Sequence, residues 1–136
     1  RAMQRADVMA FKDRPVTRLS GGERARVMLA RALAVEAPVL LVDEPTASLD
    51  PYHQLQIMEV LRSFADEGRS VIAVLHDLSL ASRFCDRLAL LHEGHLAAFG
   101  PPGEVLSDAN LEKIYRISAR RQEGERGAVV LPWARL

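Results

Sequence analysis

The stretch from 39 to 50 constrains the fold most, because four aliphatic residues in a row are followed directly by two acids. An apolar run this short, with Pro38 and Pro45 on either side, fits a strand buried on both faces better than a helix. Asp43 and Glu44 would then leave the sheet at the carboxyl end of the strand, where open α/β sheets bind their ligands. One carboxylate can hold a hydrated Mg²⁺, and the next can polarise a water molecule. A buried strand followed by a solvated acidic turn is the alternative, and the pattern alone leaves it open.

A second polar segment, 19–23, combines two glycines with a serine and an acid. Ser20 and Glu23 have the spacing of a capping box, which predicts that a helix begins here. Gly21 and Gly22 would let backbone N–H groups approach a phosphate closely, at the helix end that favours anions. An ordinary helix cap explains the same residues, and it is the simpler interpretation when this segment is taken alone.

The rest of the chain alternates predicted helices and strands, beginning with a helical pattern over residues 1–11. Asp50 precedes a proline and a helical pattern, and the β-branched run at 70–75 predicts a second strand that ends in His76. A strand pair follows at 88–91 and 96–99, around a predicted turn at Glu93–Gly94. Strands alternating with helices, each strand ending in polar residues, are typical of a mostly parallel α/β sheet. The charged and irregular segment 118–136 is expected to be a mobile tail.

Composition argues against several classes of protein. Lys plus Arg equals Asp plus Glu at 18 each, so the formal net charge is zero, which disfavours a nucleic-acid binder that depends on bulk positive charge. The sequence has no apolar run long enough to predict a membrane span. A single cysteine, Cys85, excludes an internal disulfide and suits a reducing compartment. Three histidines have no ligand-like spacing and are expected to be solvated, namely His53, His92 and His95.

The polar segments, taken together and in this order, resemble the ATP-binding-cassette (ABC) ATPases. Residues 19–23 match the signature motif of that family, and residues 40–44 match its Walker B motif. Residues 48–50 match the D-loop, and His76 matches the switch histidine. The resemblance covers residues 1–117. It implies an α/β fold that is the carboxyl-terminal part of a P-loop NTPase, with a mostly parallel sheet and flanking helices.

The resemblance implies a role for each matching residue, with ATP and Mg²⁺ as cofactors. Asp43 would bind Mg²⁺ through water, and Glu44 would be the general base or the residue that orients the attacking water. His76 would contact the γ-phosphate and sense its loss. ABC ATPases work as head-to-tail dimers, so the signature residues would bind ATP held by the opposite subunit. Those signature residues are Ser20, Gly21, Gly22 and Glu23, and the D-loop residues on the dimer interface are Ser48, Leu49 and Asp50.

The sequence departs from the family in one motif, the phosphate-binding loop G-x-x-x-x-G-K-[ST] (Walker A). Its only lysines, Lys12 and Lys113, follow Phe11 and Glu112 and so lie outside any such loop. We therefore expect a truncated chain without the P-loop half, which by itself hydrolyses no ATP. In this interpretation 1–18 is the end of the helical subdomain, 19–117 is the carboxyl-terminal part of the ATPase core, and 118–136 is the tail.

The segment 71–115 is similar to the importer branch of the family, which takes up iron–siderophore complexes, haem and cobalamin. The pair His53–Gln54 after the D-loop fits that branch. The implied partners are a second identical ATPase subunit, transmembrane permease subunits and, indirectly, a periplasmic or extracellular binding protein. The implied location is peripheral, on the cytoplasmic face of the inner membrane. Two alternatives stay open: a non-catalytic fragment that offers only a signature face in trans, and an ABC ATPase that acts on nucleic acid or ribosomes.

Overall fold

Two units, Arg1–Leu75 and His76–Leu136, make up the chain in the computed structural model, which describes residues 1–125 and 127–136. The first unit contains α1 (Ala2–Arg5), 3₁₀ turns at Met9–Phe11 and Val16–Arg18, α2 (Gly21–Ala34), β1 (Val39–Asp43), α3 (Pro51–Asp66) and β2 (Ser70–Val74).

Strands β1 and β2 pair in parallel, so the strand predicted at Val39–Val42 is confirmed, and it extends one residue further to Asp43. The prediction that both of its faces are buried is wrong. Leu40 is buried, but the opposite face carries Val39 and Leu41 on β1 beside Ile72 and Val74 on β2, and all four are exposed. The reason is that the described part of the chain covers only one side of this two-stranded sheet.

Helices α2 and α3 supply the apolar side chains of the first unit. Leu29 and Leu33 on α2, and Ile57, Leu61 and Phe64 on α3, are buried at helical spacing, as expected of amphipathic helices. The predicted capping box at the start of α2 is confirmed.

The helical pattern predicted for residues 1–11 is interrupted. Helix α1 ends at Arg5, and Asp7 takes a left-handed conformation with φ 51°. A left-handed residue of this kind cannot continue an α-helix. The next three-residue turn, Met9–Phe11, is 3₁₀. A small apolar cluster of Ala6, Val8 and Ala30 holds this segment against α2.

The second unit has its own core, built from Leu78, Leu106, Leu111 and Val130. None of its described helices, nor any in the described part of the first unit, is long and apolar enough to cross a membrane. The elements of this unit are α4 (Leu78–Phe84), β3 (Leu88–His92), β4 (His95–Gly100), α5 (Pro102–Val105), α6 (Asp108–Asn110), a π-helical turn at Leu111–Tyr115, β5 (Ile117–Gln122) and β6 (Val129–Arg135).

The sheet prediction needs a correction. Among the described residues there are three two-stranded sheets, and only the β1–β2 pair is parallel, whereas one mostly parallel sheet was expected. The pairs β3–β4 and β5–β6 are antiparallel hairpins. The predicted turn at Glu93–Gly94 is confirmed, with φ 47° and 78°, the conformation that two-residue hairpin turns require.

The segment predicted as an irregular tail, 118–136, instead contributes to two paired strands. The backbone N–H of Val130 donates to Ser82 Oγ at 2.9 Å, and Val130 itself is buried in the core of the second unit. Arg121 donates to the Leu106 carbonyl at 2.9 Å and to Asp108 Oδ1 at 2.7 Å. The sequence pattern missed this because charged residues alternate here with short apolar ones, and the partners lie far away along the chain.

Truncation of Val130 tests the role of the β5–β6 hairpin. Val130→Ala should lower the free energy of unfolding by about 1–3 kcal/mol, because it leaves a cavity in a core whose members are almost fully buried. The measurement is denaturant unfolding of the whole chain. Leu91→Ala is the control, since Leu91 is 68% exposed and should change stability by about 0.5 kcal/mol or less. Equal effects of the two variants would contradict a structural role for the hairpin.

Candidate functional site

The acid pair lies where the prediction put it, at the carboxyl end of β1. Asp43 is the last residue of the strand and is paired with Val74 of β2. The backbone N–H of Glu44 donates to the Val74 carbonyl at 3.1 Å, which extends the ladder by one bond. Glu44 then turns the chain, with φ 45° in the left-handed region that disfavours non-glycine residues. Both carboxylates are exposed.

The predicted switch histidine begins the second unit. His76 follows Val74 by two residues along the chain and is exposed. The next residue, Asp77, starts helix α4, where its Oδ1 accepts from the N–H groups of Ser79 at 2.7 Å and Leu80 at 2.9 Å. Asp77 therefore has a structural role as a helix cap.

A metal at this strand end would depend on few protein ligands. Among residues 1–125 and 127–136 there is no cluster of three or more histidine, cysteine or acidic side chains that could hold a metal ion. Mg²⁺ in phosphate-transfer sites is commonly held by one or two carboxylates together with water and substrate oxygens. The single carboxylate of Asp43, exposed at the strand end, fits that donor set.

The signature segment forms a complete capping box. Ser20 Oγ accepts from the backbone N–H of Glu23 at 3.3 Å, and a carboxylate oxygen of Glu23 accepts from the backbone N–H of Ser20 at 2.7 Å. The hydrogen bond from the Ser20 backbone lowers the pKa of Glu23 below its ordinary value of 4.5, and the Arg14 guanidinium, 3.6 Å away, lowers it further. Ser20 and Glu23 thus have a local structural explanation.

The two glycines of this segment have different surroundings. A Cβ built on Gly21 would meet no atom within 4 Å, so Gly21 faces open space. A Cβ on Gly22 would lie 2.7 Å from two ring atoms of His53, closer than atoms can pack. Gly22 is therefore required by the packing of α2 against α3.

The last residue of the D-loop, Asp50, is hydrogen-bonded to the first turn of α3. Asp50 Oδ1 accepts from the backbone N–H of His53 at 3.1 Å, which caps the helix. That backbone hydrogen bond, with a second one from the His53 side chain, lowers the pKa of Asp50 below its ordinary value of 3.8. Ser48 is exposed and left-handed, with φ 58°. Gln54 Nε2 donates to the carbonyl of buried Thr46 at 3.3 Å.

The structure brings the signature segment and the D-loop together in one cleft of about 270 Å³. This cleft lies within the first unit, beside the first two turns of α2. Its lining includes Gly21, Arg24 and Met28 from α2, with Ser48 and Leu49 from the D-loop.

The expectation that His53 is solvated is wrong. Its side chain is only 23% exposed, its Nδ1 lies 2.7 Å from Asp50 Oδ2, and its ring packs against Gly22. The spacing from Asp50 to His53 could have indicated the first contact, because a residue three positions after a helix cap faces it. No sequence signal indicates the second contact, which joins residues from different helices.

Comparison with known proteins agrees with the sequence motifs. A family model described as "ABC transporter" matches residues 1–47. The hemin import ATP-binding protein HmuV of Rhodococcus jostii is 54% identical over 114 residues, which are 84% of this chain and 39% of that protein. The cobalamin import ATP-binding protein BtuD of Halobacterium salinarum is 56% identical over 116 residues, which are 85% of this chain and 29% of that protein.

The chain belongs to the ABC transporter ATPase family. Its fold agrees: a metal-chelate type ABC transporter in an inward-facing conformation superposes with a TM-score of 0.84 at 23% identity, over 97% of this chain and 54% of that one. A dimeric ATP-binding cassette bound to ADP and Pi in a post-hydrolysis state gives 0.66 at 32% identity, over 74% and 44%. The predicted fold class, part of an ABC-type P-loop NTPase, is confirmed. The chain spans less than half the length of HmuV and BtuD.

Acid should weaken the capping box at the start of α2. Because the pKa of Glu23 is lower in the folded chain, its ionised form stabilises the fold above pH 4.5. That stabilisation is lost as the pH falls through the lower, folded-state pKa. We expect wild type to be more stable than Glu23→Gln at neutral pH, and the difference to vanish in acid.

The measurement is denaturant unfolding as a function of pH, for wild type and Glu23→Gln side by side. Glu112→Gln, at an exposed glutamate of the second unit, is the matched control. A stability difference between wild type and Glu23→Gln that stays constant from neutral to acid pH would show that the ionised cap is unimportant.

Proposed function

We propose that this chain is part of the nucleotide-binding subunit of an ABC importer, which couples ATP hydrolysis to uptake of haem, a cobalamin-type compound or an iron chelate. The observation that carries the proposal is the acid pair Asp43–Glu44 at the end of a parallel strand, in a chain 54% identical to a hemin import ATP-binding protein. The cobalamin import relative, at 56% identity, supports the same class of cargo.

The residues at the strand end would divide the chemistry between them. Asp43 would hold Mg²⁺ through water, and the bound ion supplies positive charge where the transferred phosphoryl group becomes more negative. Glu44 would orient the attacking water and accept its proton. The backbone hydrogen bond from Glu44 to Val74 and the left-handed turn at Glu44 support this role, because they place the carboxylate directly after the strand, next to Asp43. His76 would contact the γ-phosphate.

The signature segment would act on a nucleotide held by a second copy of the subunit. Ser20, Gly21, Gly22 and Glu23 start a 14-residue helix whose amino end favours an anion, and Gly21 has no neighbour within 4 Å of a built Cβ. Ser48, Leu49 and Asp50 would run along the dimer interface. The dimeric state of the ADP-bound cassette described above supports this arrangement.

The remaining partners follow from the proposed class of transporter. We infer that the dimer binds transmembrane permease subunits, lies peripherally on the cytoplasmic face of the inner membrane, and receives cargo indirectly from a periplasmic or extracellular binding protein. The 136 residues contain no G-x-x-x-x-G-K-[ST] segment, so the loop that cradles the β- and γ-phosphates must come from outside this sequence.

Replacement of Glu44 tests the proposed chemistry. The chimera to use joins the upstream part of the Rhodococcus HmuV to this chain, so that a phosphate-binding loop is present. In it, Glu44→Gln should still bind ATP and should lower turnover about a hundredfold or more, because the amide cannot accept the proton of the attacking water. ATP binding and phosphate release are measured on the same preparation. Glu59→Gln, at an exposed glutamate on α3, is the control and should leave turnover unchanged. Turnover near wild type in Glu44→Gln would exclude Glu44 as the base.

A second candidate function is that of a non-catalytic chain that offers only a signature face to an intact subunit. The observation that favours this candidate is that the cleft between the signature segment and the D-loop is formed entirely within this chain, whereas the sequence of the chain contains no phosphate-binding loop. The test adds the purified 136-residue chain to intact HmuV and measures ATP turnover. An increase would support contribution in trans, a decrease would support an inhibitory dimer, and no change would rule out this candidate.

A further inference from the structure

The first two turns of α3 contact both the signature helix and the D-loop. Gln54 binds the Thr46 carbonyl before the D-loop, and Gln56 Oε1 accepts from the buried guanidinium of Arg26 on α2 at 2.6 Å. His53, the residue before Gln54, touches both segments with one imidazole ring. None of the motif assignments above gives His53 a role.

On the D-loop side, His53 fixes the orientation of a carboxylate. Both oxygens of Asp50 are engaged by the same residue, Oδ1 by the His53 backbone at 3.1 Å and Oδ2 by the ring Nδ1 at 2.7 Å. Two bonds from one residue prevent the carboxylate from rotating about its own axis. A short bond to an ionised group is also among the stronger hydrogen bonds in proteins. Asp50 is thereby held to the helix and cannot turn freely toward the open side of the D-loop.

On the signature side, the same ring occupies the space that a side chain at position 22 would need. Two ring carbons lie 2.7 Å from the site of a Gly22 Cβ, so the backbone of the first turn of α2 packs directly on the ring. Because the ring is only 23% exposed and is bonded to Asp50, it cannot move aside without breaking that bond. The position of the signature turn is therefore set by the same group that holds the D-loop.

We propose that His53 is a positioning residue that couples the signature turn to the D-loop, through its ring contact with Gly22 and its hydrogen bonds to Asp50. The effect of this coupling on ATP turnover rests on the function proposed above. The effect of the coupling on packing is independent of that function, because both contacts lie within the first unit of this chain. The two parts are tested separately, so that the failure of one can be told from the failure of the other.

The packing part is tested by a double-mutant cycle on the stability of the 136-residue chain. Gly22→Ala alone should raise the unfolding equilibrium constant about tenfold or more, because the methyl group clashes with the ring. In a His53→Ala background the same substitution should be neutral or stabilising, since the ring is gone and alanine favours a helix. If Gly22→Ala prevents folding, recovery of a folded double variant is the expected result.

Gly21→Ala is the matched control for this cycle, because it adds the same methyl group one residue earlier, where no atom lies within 4 Å. Its effect on stability should be the same in both backgrounds. An equal effect of Gly22→Ala with and without the ring, or two equally unfolded variants, would overturn the proposed contact.

The turnover part is tested in the HmuV chimera. His53→Ala should lower kcat roughly ten- to a hundredfold with little change in KM for ATP, because it frees Asp50 without touching a nucleotide ligand. His53→Asn should restore most of the lost kcat, since its amide can donate to Asp50 from nearly the position of Nδ1. His95→Ala, at an exposed histidine of β4, should leave kcat unchanged.

Equal kcat values for the alanine and asparagine variants, or a rise in KM that accounts for the loss, would overturn the positioning role. A chimera with the unaltered chain that hydrolyses no ATP would count against the proposed function instead. In that case the stability cycle still decides whether His53 joins the two segments.

Discussion

The parallel ladder between β1 and β2 determines where the acidic residues of this protein lie. Its five residue pairs end at Asp43 and Val74. One further hydrogen bond, from the Glu44 N–H to the Val74 carbonyl, holds the residue after the strand against β2. Glu44 itself takes a left-handed conformation, which is uncommon for non-glycine residues and turns the chain away from the strand. The exposed acid pair is thus a consequence of strand pairing, and it depends on β2 as much as on its own sequence.

The other polar segments lie where helices begin. Residues that match the motifs of the family also cap these helices. Ser20 and Glu23 begin α2 in a capping box, and Asp50 begins α3. A substitution at any of these three residues therefore changes the stability of a helix as well as any contact with a nucleotide. Loss of activity alone cannot separate the two effects, so the chemical role of each position has to be judged against its structural one.

Features set by neighbours in sequence were predictable, and features set by distant packing were not. The capping box and the Glu93–Gly94 turn need only a few adjacent residues, so their patterns were sufficient. The bond from Val130 to Ser82 joins residues 48 positions apart, and the β5–β6 hairpin that it anchors was expected to be a tail. The contact of His53 with Gly22 was missed for the same reason. Burial of β1 on both faces was inferred from its composition, which cannot tell which side of a sheet the chain covers.

The sequence left two interpretations of the signature segment open, an ordinary helix cap and a phosphate contact. The structural roles of its residues bear on that choice. The capping box accounts for Ser20 and Glu23, and the His53 ring accounts for Gly22. Gly21 is the exception: its φ lies outside the left-handed region, no described atom lies within 4 Å of a built Cβ, and an alanine there would favour the helix. The proposed phosphate contact would account for such a glycine, because a ligand that approaches the backbone closely leaves no room for a side chain. Gly21 is therefore the position in this segment whose identity most supports a phosphate contact.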